Sequence, residues 1–191
     1  MQADIVIVGA GMVGSSMALA LKDCGLSIAL LDGGVLSAPP FDPQSAFEPR
    51  VSALSIASQN VLNNLNAWSG VLTRRASPYS DMQVWDGSGT GSIHFSATSN
   101  HVGVLGHIVE NRIVQDALLD QLQTSGVALH EHTRLAQIRR SGNEWLLSLE
   151  NGESLRAALV IAADGANSSI RKLTGTETRE WDYLHHAVVT S

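Results

Sequence analysis

The sequence is poor in cysteine and in positive charge. Cys24 is the single cysteine among 191 residues, which excludes an intramolecular disulfide and any metal site built from several cysteines. Lys and Arg total 12 against 18 Asp and Glu, a formal net charge of −6. Without a basic patch to meet phosphates, nucleic-acid binding is not expected. The lone cysteine suits a reducing compartment, and inside a first helix it is expected to be a buried, inert thiol.

Long apolar runs and a secretion signal are also missing. No run of about 18 or more apolar residues occurs, so a transmembrane helix is not expected. No basic segment with a cleavage site precedes the first apolar run. The expected location is the cytoplasm, with peripheral contact to the inner membrane left open. The hydrophobic fraction of 44% is nevertheless sufficient for a folded core.

The first thirty-two residues have the pattern of a βαβ unit. Residues 3–8 are continuously apolar, as in a strand buried on both faces. Gly9-Ala10-Gly11-Met12-Val13-Gly14 follows, and residues 15–24 then have helical spacing, with Gly25 placed for a left-handed cap. Residues 27–31 predict a second strand that ends at Asp32.

A GxGxxG motif between such a strand and helix, with an acid about 20 positions later, is typical of dinucleotide binding. The first glycine makes the turn, the second lets the backbone approach a pyrophosphate, and the third lets helix and strand pack closely. Free N–H groups at the helix N-terminus favour phosphates. The alternative is an ordinary tight turn without a ligand. We predict that a dinucleotide contacts Gly9, Gly11, Met12, Val13 and Gly14, with its ribose on Asp32.

The rest of the chain alternates between helical and strand-like patterns. Prolines keep residues 33–49 as a loop. Helices are predicted over 52–68, 111–124 and 167–173. Strands are predicted over 82–85, 92–95, 134–140, 145–149, 154–158, 159–163 and 181–189, with Asn151-Gly152 as a hairpin turn.

A second candidate segment follows the last apolar strand. Asp164 and Gly165 alone would indicate a helix cap and a turn, but beside an N-terminal glycine motif they favour a second contact to the dinucleotide. Arg50 fits a surface salt bridge and a cation near a cofactor phosphate equally well. Arg74-Arg75 is predicted to be a solvated pair. No metal site is predicted, because adjacent His185-His186 would point to opposite faces of a strand.

These segments together resemble the FAD-dependent aromatic hydroxylases of the p-hydroxybenzoate hydroxylase class. The class resemblance is carried by the glycine motif with Asp32, by residues 50–54 (Arg-Val-Ser-Ala-Leu) and by residues 164–168 (Asp-Gly-Ala-Asn-Ser). Residues 105–111 and 181–183 resemble the ubiquinone-biosynthesis hydroxylases. Residues 74–77, 82–86 and 185–186 resemble the 2-octaprenylphenol hydroxylase type, with the hydroxylase of a later methoxy-methyl-benzoquinol intermediate as the near alternative.

The resemblance implies an α/β fold: an FAD-binding Rossmann-like βαβ domain with a mixed sheet and a β-meander, plus the beginning of a smaller substrate-domain sheet. The implied FAD/NAD(P)-binding domain is discontinuous, covering 1–75 and 100–178, and the substrate-domain strands cover 76–99 and 179–191. The implied contacts are the ADP pyrophosphate for Gly9, Gly11 and Gly14, the adenosine ribose for Asp32, the FAD phosphates or ribityl chain for Arg50, and both FAD and NAD(P)H for Asp164 and Gly165.

The implied activity is hydroxylation of the aromatic ring of a polyprenylphenol, with NAD(P)H and O2, through a C4a-hydroperoxyflavin. A ubiquinone-biosynthesis complex is an implied partner, and no catalytic residue is assigned. Family members are considerably longer, so the chain is expected to be an inactive N-terminal part that binds FAD weakly or not at all and forms homo-oligomers through an exposed sheet. The alternatives are an NAD(P)-linked dehydrogenase and a non-catalytic dinucleotide-binding module.

Overall fold

A computed structural model describes residues 2–189, which form two compact units. The first comprises the chain up to Pro39 together with Leu118–Val188, and the second is built on Pro40–Ala117. The two units are defined by which residues pack together, whereas the predicted domains are defined by which residues hold the cofactor or the substrate. That functional division stays a prediction.

Eleven strands and five helices occur among the described residues. In chain order they are β1 (Gln2–Val8), α1 (Met12–Leu21), β2 (Ile28–Leu31), β3 (Val51–Ser55), α2 (Ile56–Asn64), α3 (Trp68–Leu72), β4 (Ser77–Tyr79), β5 (Asp81–Trp85), β6 (Ser92–Ser96), β7 (Gly106–Glu110), α4 (Asn111–Gln123), β8 (Ala128–His130), β9 (Leu135–Ser141), β10 (Glu144–Leu149), β11 (Ser154–Ala162) and α5 (Ser169–Thr174). No helix within residues 2–189 has the length and hydropathy needed to cross a bilayer.

The first unit contains a six-stranded sheet in the order β8-β2-β1-β11-β10-β9. The pairs β8–β2, β2–β1 and β1–β11 are parallel, whereas β11–β10 and β10–β9 are antiparallel. The predicted mixed sheet with a β-meander is therefore confirmed. One continuous strand, β11, replaces the two strands predicted over 154–158 and 159–163, because it pairs with β1 and with the meander.

The core of this unit lies on the central strands. Val6 and Ile7 of β1 are fully buried, as expected for a strand covered on both faces. Val6 and Leu31 pack in one cluster with Leu147 and Leu155 of the meander. Each such buried side chain stabilises the fold by about 1.5–3 kcal/mol, so this cluster holds β1 and β2 together with the meander.

The second unit contains the sheet β3-β7-β4 and the separate hairpin β5-β6. The predicted hairpin is confirmed, with Met82 paired to Phe95 and Val84 to Ile93. The helix predicted over 52–68 is wrong at its start, because residues 51–55 pair with β7 as a strand. The helix begins only after Ser55, whose side chain accepts a hydrogen bond from the Ser58 amide at 3.3 Å.

Two further expectations are corrected. Cys24 lies beyond the end of α1 at Leu21, and it is exposed rather than buried. Residues 181–189, predicted as a strand, form no strand, because no neighbouring strand among the described residues supplies ladder hydrogen bonds to them.

Candidate functional site

The turn after β1 is fixed by contacts to both neighbouring strands. Gly9 has φ +99°, and its amide donates to the Leu31 carbonyl at 2.8 Å. A Cβ atom on Gly9 would lie 2.4 Å from the Ala163 carbonyl oxygen. The positive φ and the close backbone together require glycine at this position.

Helix α1 approaches this turn closely at Gly14. A Cβ atom there would lie 1.8 Å from the Gly9 carbonyl oxygen, so no larger residue fits without moving the helix. The buried Ser15 hydroxyl donates to the Ala10 carbonyl at 2.9 Å and ties the helix to the turn. The motif's third glycine therefore serves helix–strand packing.

Gly11 differs from the other two glycines because the protein itself does not fill the space beside it. A Cβ atom on Gly11 would meet no atom within 4 Å, and its φ is −65°. Gly11 is the N-cap of α1, no side chain caps the helix there, and the first turn contains no acidic residue. Met12 and Val13 form that first turn, so their amides are available to a phosphate.

Asp32 connects this turn to the loop after β2. One carboxylate oxygen accepts from the Ala10 amide at 2.7 Å, and the other accepts from the Gly34 amide at 2.7 Å. Each carboxylate oxygen offers two lone-pair directions, so Asp32 can hold the loops and still accept hydrogen bonds from a ribose. Sequence reasoning missed these two backbone contacts, and the ribose contact of Asp32 stays a prediction.

Asp164 lies beside the glycine turn because the Ala163 amide donates to the Val8 carbonyl at 2.8 Å. Its Oδ2 accepts from the amides of Ser169, at 2.7 Å, and Ile170, at 3.2 Å. Burial alone would raise the pKa of Asp164, but hydrogen bonds from Ser168, Ile170 and Ser169 outweigh it and lower the pKa. The buried Oδ1 has no hydrogen-bond partner among the described residues. Asp164 thus caps α5 and keeps one oxygen unused.

A cleft of about 610 Å³ in the first unit is lined by both motifs. Its volume is in the range typical of small-molecule sites. Gly9, Gly11, Asp32, Asp164 and Gly165 all line it. Sequence reasoning missed several further lining residues, among them Thr133, Arg134 and Glu150, since these three lie next to the ends of meander strands and no motif marks them.

Two arginines selected from the sequence belong to the second unit. Arg50 is exposed, and its carbonyl accepts from the Asn111 amide at 2.9 Å. Its contact with a cofactor stays a prediction. Arg74 is only partly exposed and donates to the Gly70 carbonyl at 2.9 Å.

The prediction that Arg75 is solvated is wrong. Its Nε lies 3.1 Å from a Glu110 carboxylate oxygen, and its side chain is only 21% exposed. The guanidinium also donates to the Ser45 carbonyl at 2.9 Å and lies 4.4 Å from the centroid of Phe47. Glu110 in turn accepts from the Glu48 amide at 2.8 Å. We call the Arg75–Glu110 pair the loop clamp, because it holds residues 41–48 to β7.

The features of this region fit a dinucleotide. They are the open space beside Gly11, the N-terminus of α1 without a side-chain cap, and Asp32 at the end of β2. Comparison with known proteins identifies which dinucleotide. Residues 2–189 match the FAD binding domain family. The chain belongs to this family. The predicted cofactor class, FAD, and the predicted family are thereby confirmed.

Named relatives and solved structures agree with this family. The chain is 34% identical over 198 residues to 3-demethoxyubiquinol 3-hydroxylase of Escherichia coli K12, covering 98% of this chain and 48% of the relative. It is 34% identical to the mitochondrial ubiquinone biosynthesis monooxygenase COQ6 of Danio rerio, covering 97% and 41%. A variant of Pseudomonas aeruginosa PqsL has the same fold, with a TM-score of 0.74 at 19% identity over 96% of this chain and 48% of that one. The chain therefore spans about half the length of the curated relatives it matches.

Proposed function

We propose that this chain is the FAD-binding part of a flavin-dependent monooxygenase that hydroxylates the aromatic ring of a polyprenylphenol in ubiquinone biosynthesis. The observation that carries the proposal is the open face of Gly11 in a cleft shared with Asp32 and Asp164. Packing accounts for Gly9 and Gly14, but it leaves Gly11 without a structural reason. A ligand that approaches the backbone closely supplies that reason.

Different residues of this region would bind different parts of the ADP half of FAD. Gly11 and the amides of Met12 and Val13 would hold the diphosphate, since the N-terminus of α1 is partly positive and has free donors. Asp32 would accept hydrogen bonds from the adenosine ribose. The unused Oδ1 of Asp164 would accept from a donor on the cofactor, with Gly165 beside it. The proposed contact of Arg50 with the same cofactor rests on its sequence motif alone.

When bound, FAD supplies the redox chemistry of hydroxylation with NAD(P)H and O2. The chain's own residues bind and orient the cofactor. This explains why the cleft contains hydrogen-bond acceptors and open amides and no paired acid and base. No residue among 2–189 is assigned to proton transfer to or from the ring.

The proposed substrate class is supported by the names of the relatives, which include a demethoxyubiquinol hydroxylase and ubiquinone biosynthesis monooxygenases. We extend that class to this chain as an electron-rich phenol with a polyprenyl tail. Such a tail partitions into lipid, so the protein that carries this chain would work at a membrane surface. A complex with other enzymes of the pathway is part of the same proposal.

A flavin titration and an oxygen-consumption assay test this function. Binding to the chain should quench the fluorescence of FAD saturably, and the affinity should be low if the prediction for these 191 residues is correct. In the protein that carries this chain, a polyprenylphenol should raise oxygen consumption with NADH or NADPH. Flavin binding without any phenol-dependent oxygen consumption would contradict the hydroxylase. Because the chain is expected to bind FAD weakly or not at all, ADP is the deciding probe, and absence of ADP binding would contradict the cofactor site itself.

A further inference from the structure

Arg134 lines the cleft, yet the fold makes no polar use of its side chain. The side chain is exposed and lies on the cleft wall. Within residues 2–189 it has no hydrogen bond or ion pair, in contrast to Asp32 and Asp164 in the same cleft. An unpaired guanidinium that faces a ligand cleft is available to a ligand.

The backbone on both sides of this guanidinium is fixed. The Thr133 amide donates to the Asp32 carbonyl at 2.7 Å, and the Arg134 carbonyl accepts from the Glu150 amide at 3.0 Å. The first bond anchors Arg134 to the end of β2, and the second anchors it to the meander. Arg134 is therefore held beside Asp32 by the strands and not by a mobile loop.

The position of the guanidinium is defined by Gly33. A Cβ atom on Gly33 would lie 3.1 Å from Nε and 3.3 Å from Cζ of Arg134. The guanidinium thus lies over the backbone immediately after Asp32. A larger residue at position 33 would displace it.

Asp32 separates this part of the cleft from the glycine turn. One of its carboxylate oxygens holds Ala10, next to the N-terminus of α1, and the other holds Gly34, next to Gly33 and Arg134. In ADP the ribose lies between the diphosphate and the base. A diphosphate at α1 and a ribose on Asp32 therefore place the base on the Arg134 side.

Four charged residues are among the described residues that line the cleft: Arg134 is basic, and Asp32, Glu150 and Asp164 are acidic. Its guanidinium is planar and weakly hydrated, so it stacks on aromatic rings. We propose that Arg134 stacks on the adenine of the bound cofactor and makes the cleft selective for a purine nucleotide. This inference rests on the proposed function, since it requires the diphosphate at α1.

Binding of ADP and UDP to the 191-residue chain tests the role of Arg134, because the two probes share ribose and diphosphate and differ in the base. Calorimetry on wild type, Arg134→Ala and Arg139→Ala gives the comparison. Arg139 is also an exposed arginine, lies in β9 and does not line the cleft. Both variants remove one positive charge from an exposed position, so both should fold, as circular dichroism would verify.

We expect wild type to prefer ADP and Arg134→Ala to bind ADP roughly two- to thirtyfold more weakly, with a smaller loss for UDP. Arg139→Ala should match wild type for both. Equal weakening of ADP and UDP by Arg134→Ala would mean that Arg134 contacts the diphosphate and would overturn the inference, as would unchanged binding. A wild type that binds neither nucleotide would instead overturn the proposed function, and the inference with it.

Discussion

At the residue scale, three glycines of one motif have different reasons to be glycine. Gly9 and Gly14 are required by close backbone contacts, whereas Gly11 faces open space. The sequence predicted all three roles from spacing, because the turn, the close packing and the phosphate approach are local. It could not predict that the Asp32 carboxylate also holds the Ala10 and Gly34 amides, since that depends on how β1 and β2 pair.

Gly11→Ala and Gly14→Ala should separate ligand binding from folding. A Cβ at position 11 meets no protein atom, so Gly11→Ala should unfold at the same denaturant concentration as wild type and lose ADP binding by about tenfold or more. A Cβ at position 14 overlaps the Gly9 carbonyl, so Gly14→Ala should destabilise by about 1–3 kcal/mol or more. Urea unfolding and calorimetry measure both. Full ADP affinity in a folded Gly11→Ala would show that the open face holds no phosphate.

The lowered pKa of Asp164 predicts a specific dependence of stability on pH. Its pKa in the folded chain lies below the usual value of an aspartate, so as pH falls the unfolded chain takes up the proton first. The stabilisation is complete well above the unfolded-state pKa, begins to decline near about pH 5 and is lost as pH falls through the folded-state pKa. Asp164→Asn should lose this contribution at neutral pH and show a flatter stability curve at acidic pH. Parallel curves for variant and wild type, measured by urea unfolding, would contradict the cap.

At the element scale, the loop clamp is an example of a contact that depends on strand pairing and that local sequence patterns do not predict. The pair Arg74-Arg75 has the composition of a solvated charge cluster, and the antiparallel β4–β7 pairing brings Glu110 next to Arg75. The β3–β7 pairing turned residues 51–55 into a strand although their apolar spacing continued a helical pattern. Both errors have one cause, since β7 was absent from the sequence prediction. Elements with local signals, such as β1 and the Asn151-Gly152 hairpin, were predicted well, whereas α1 was predicted over 15–24 and spans Met12–Leu21.

Arg75→Ala should release residues 41–48 from β7. The variant leaves Glu110, whose side chain is 6% exposed, without its cation, and loss of one partner of a buried pair costs about 3–5 kcal/mol. The 21% exposure of the Arg75 side chain places the expected loss at the lower end. Limited proteolysis should then cut within 41–49 much faster than in wild type. Arg112→Ala is the control, since its side chain is half exposed in its pair with Glu48. Equal cleavage rates in the two variants would rule out the clamp.

At the scale of the whole molecule, the β5–β6 hairpin presents an uncovered apolar face. Met82, Val84, Ile93 and Phe95 share that face by their cross-strand pairing, and all four are exposed. Contiguous apolar surface of this kind is typical of an interaction site. The expected homo-oligomer through an exposed sheet stays a prediction, and the hairpin is the surface on which to test it.

Replacing Val84 and Ile93 together by lysine should suppress self-association of the chain. Sedimentation velocity should show wild type associating as concentration rises and the double variant remaining monomeric, because two charges on the apolar face resist desolvation. Gln83→Lys places a charge on the opposite face and should behave like wild type. A wild-type chain that is monomeric at every concentration would contradict the prediction.

The central claim is that the cleft between the glycine turn and the Asp164 loop holds the ADP half of FAD. Titration of the ¹⁵N-labelled chain with ADP, followed by amide chemical shifts, tests it most directly. We predict saturable one-to-one binding, with the largest shifts at residues 9–14, 32–34 and 163–169 and none of comparable size in Gly11→Ala. Absent shifts, or shifts confined to residues 40–117, would contradict it.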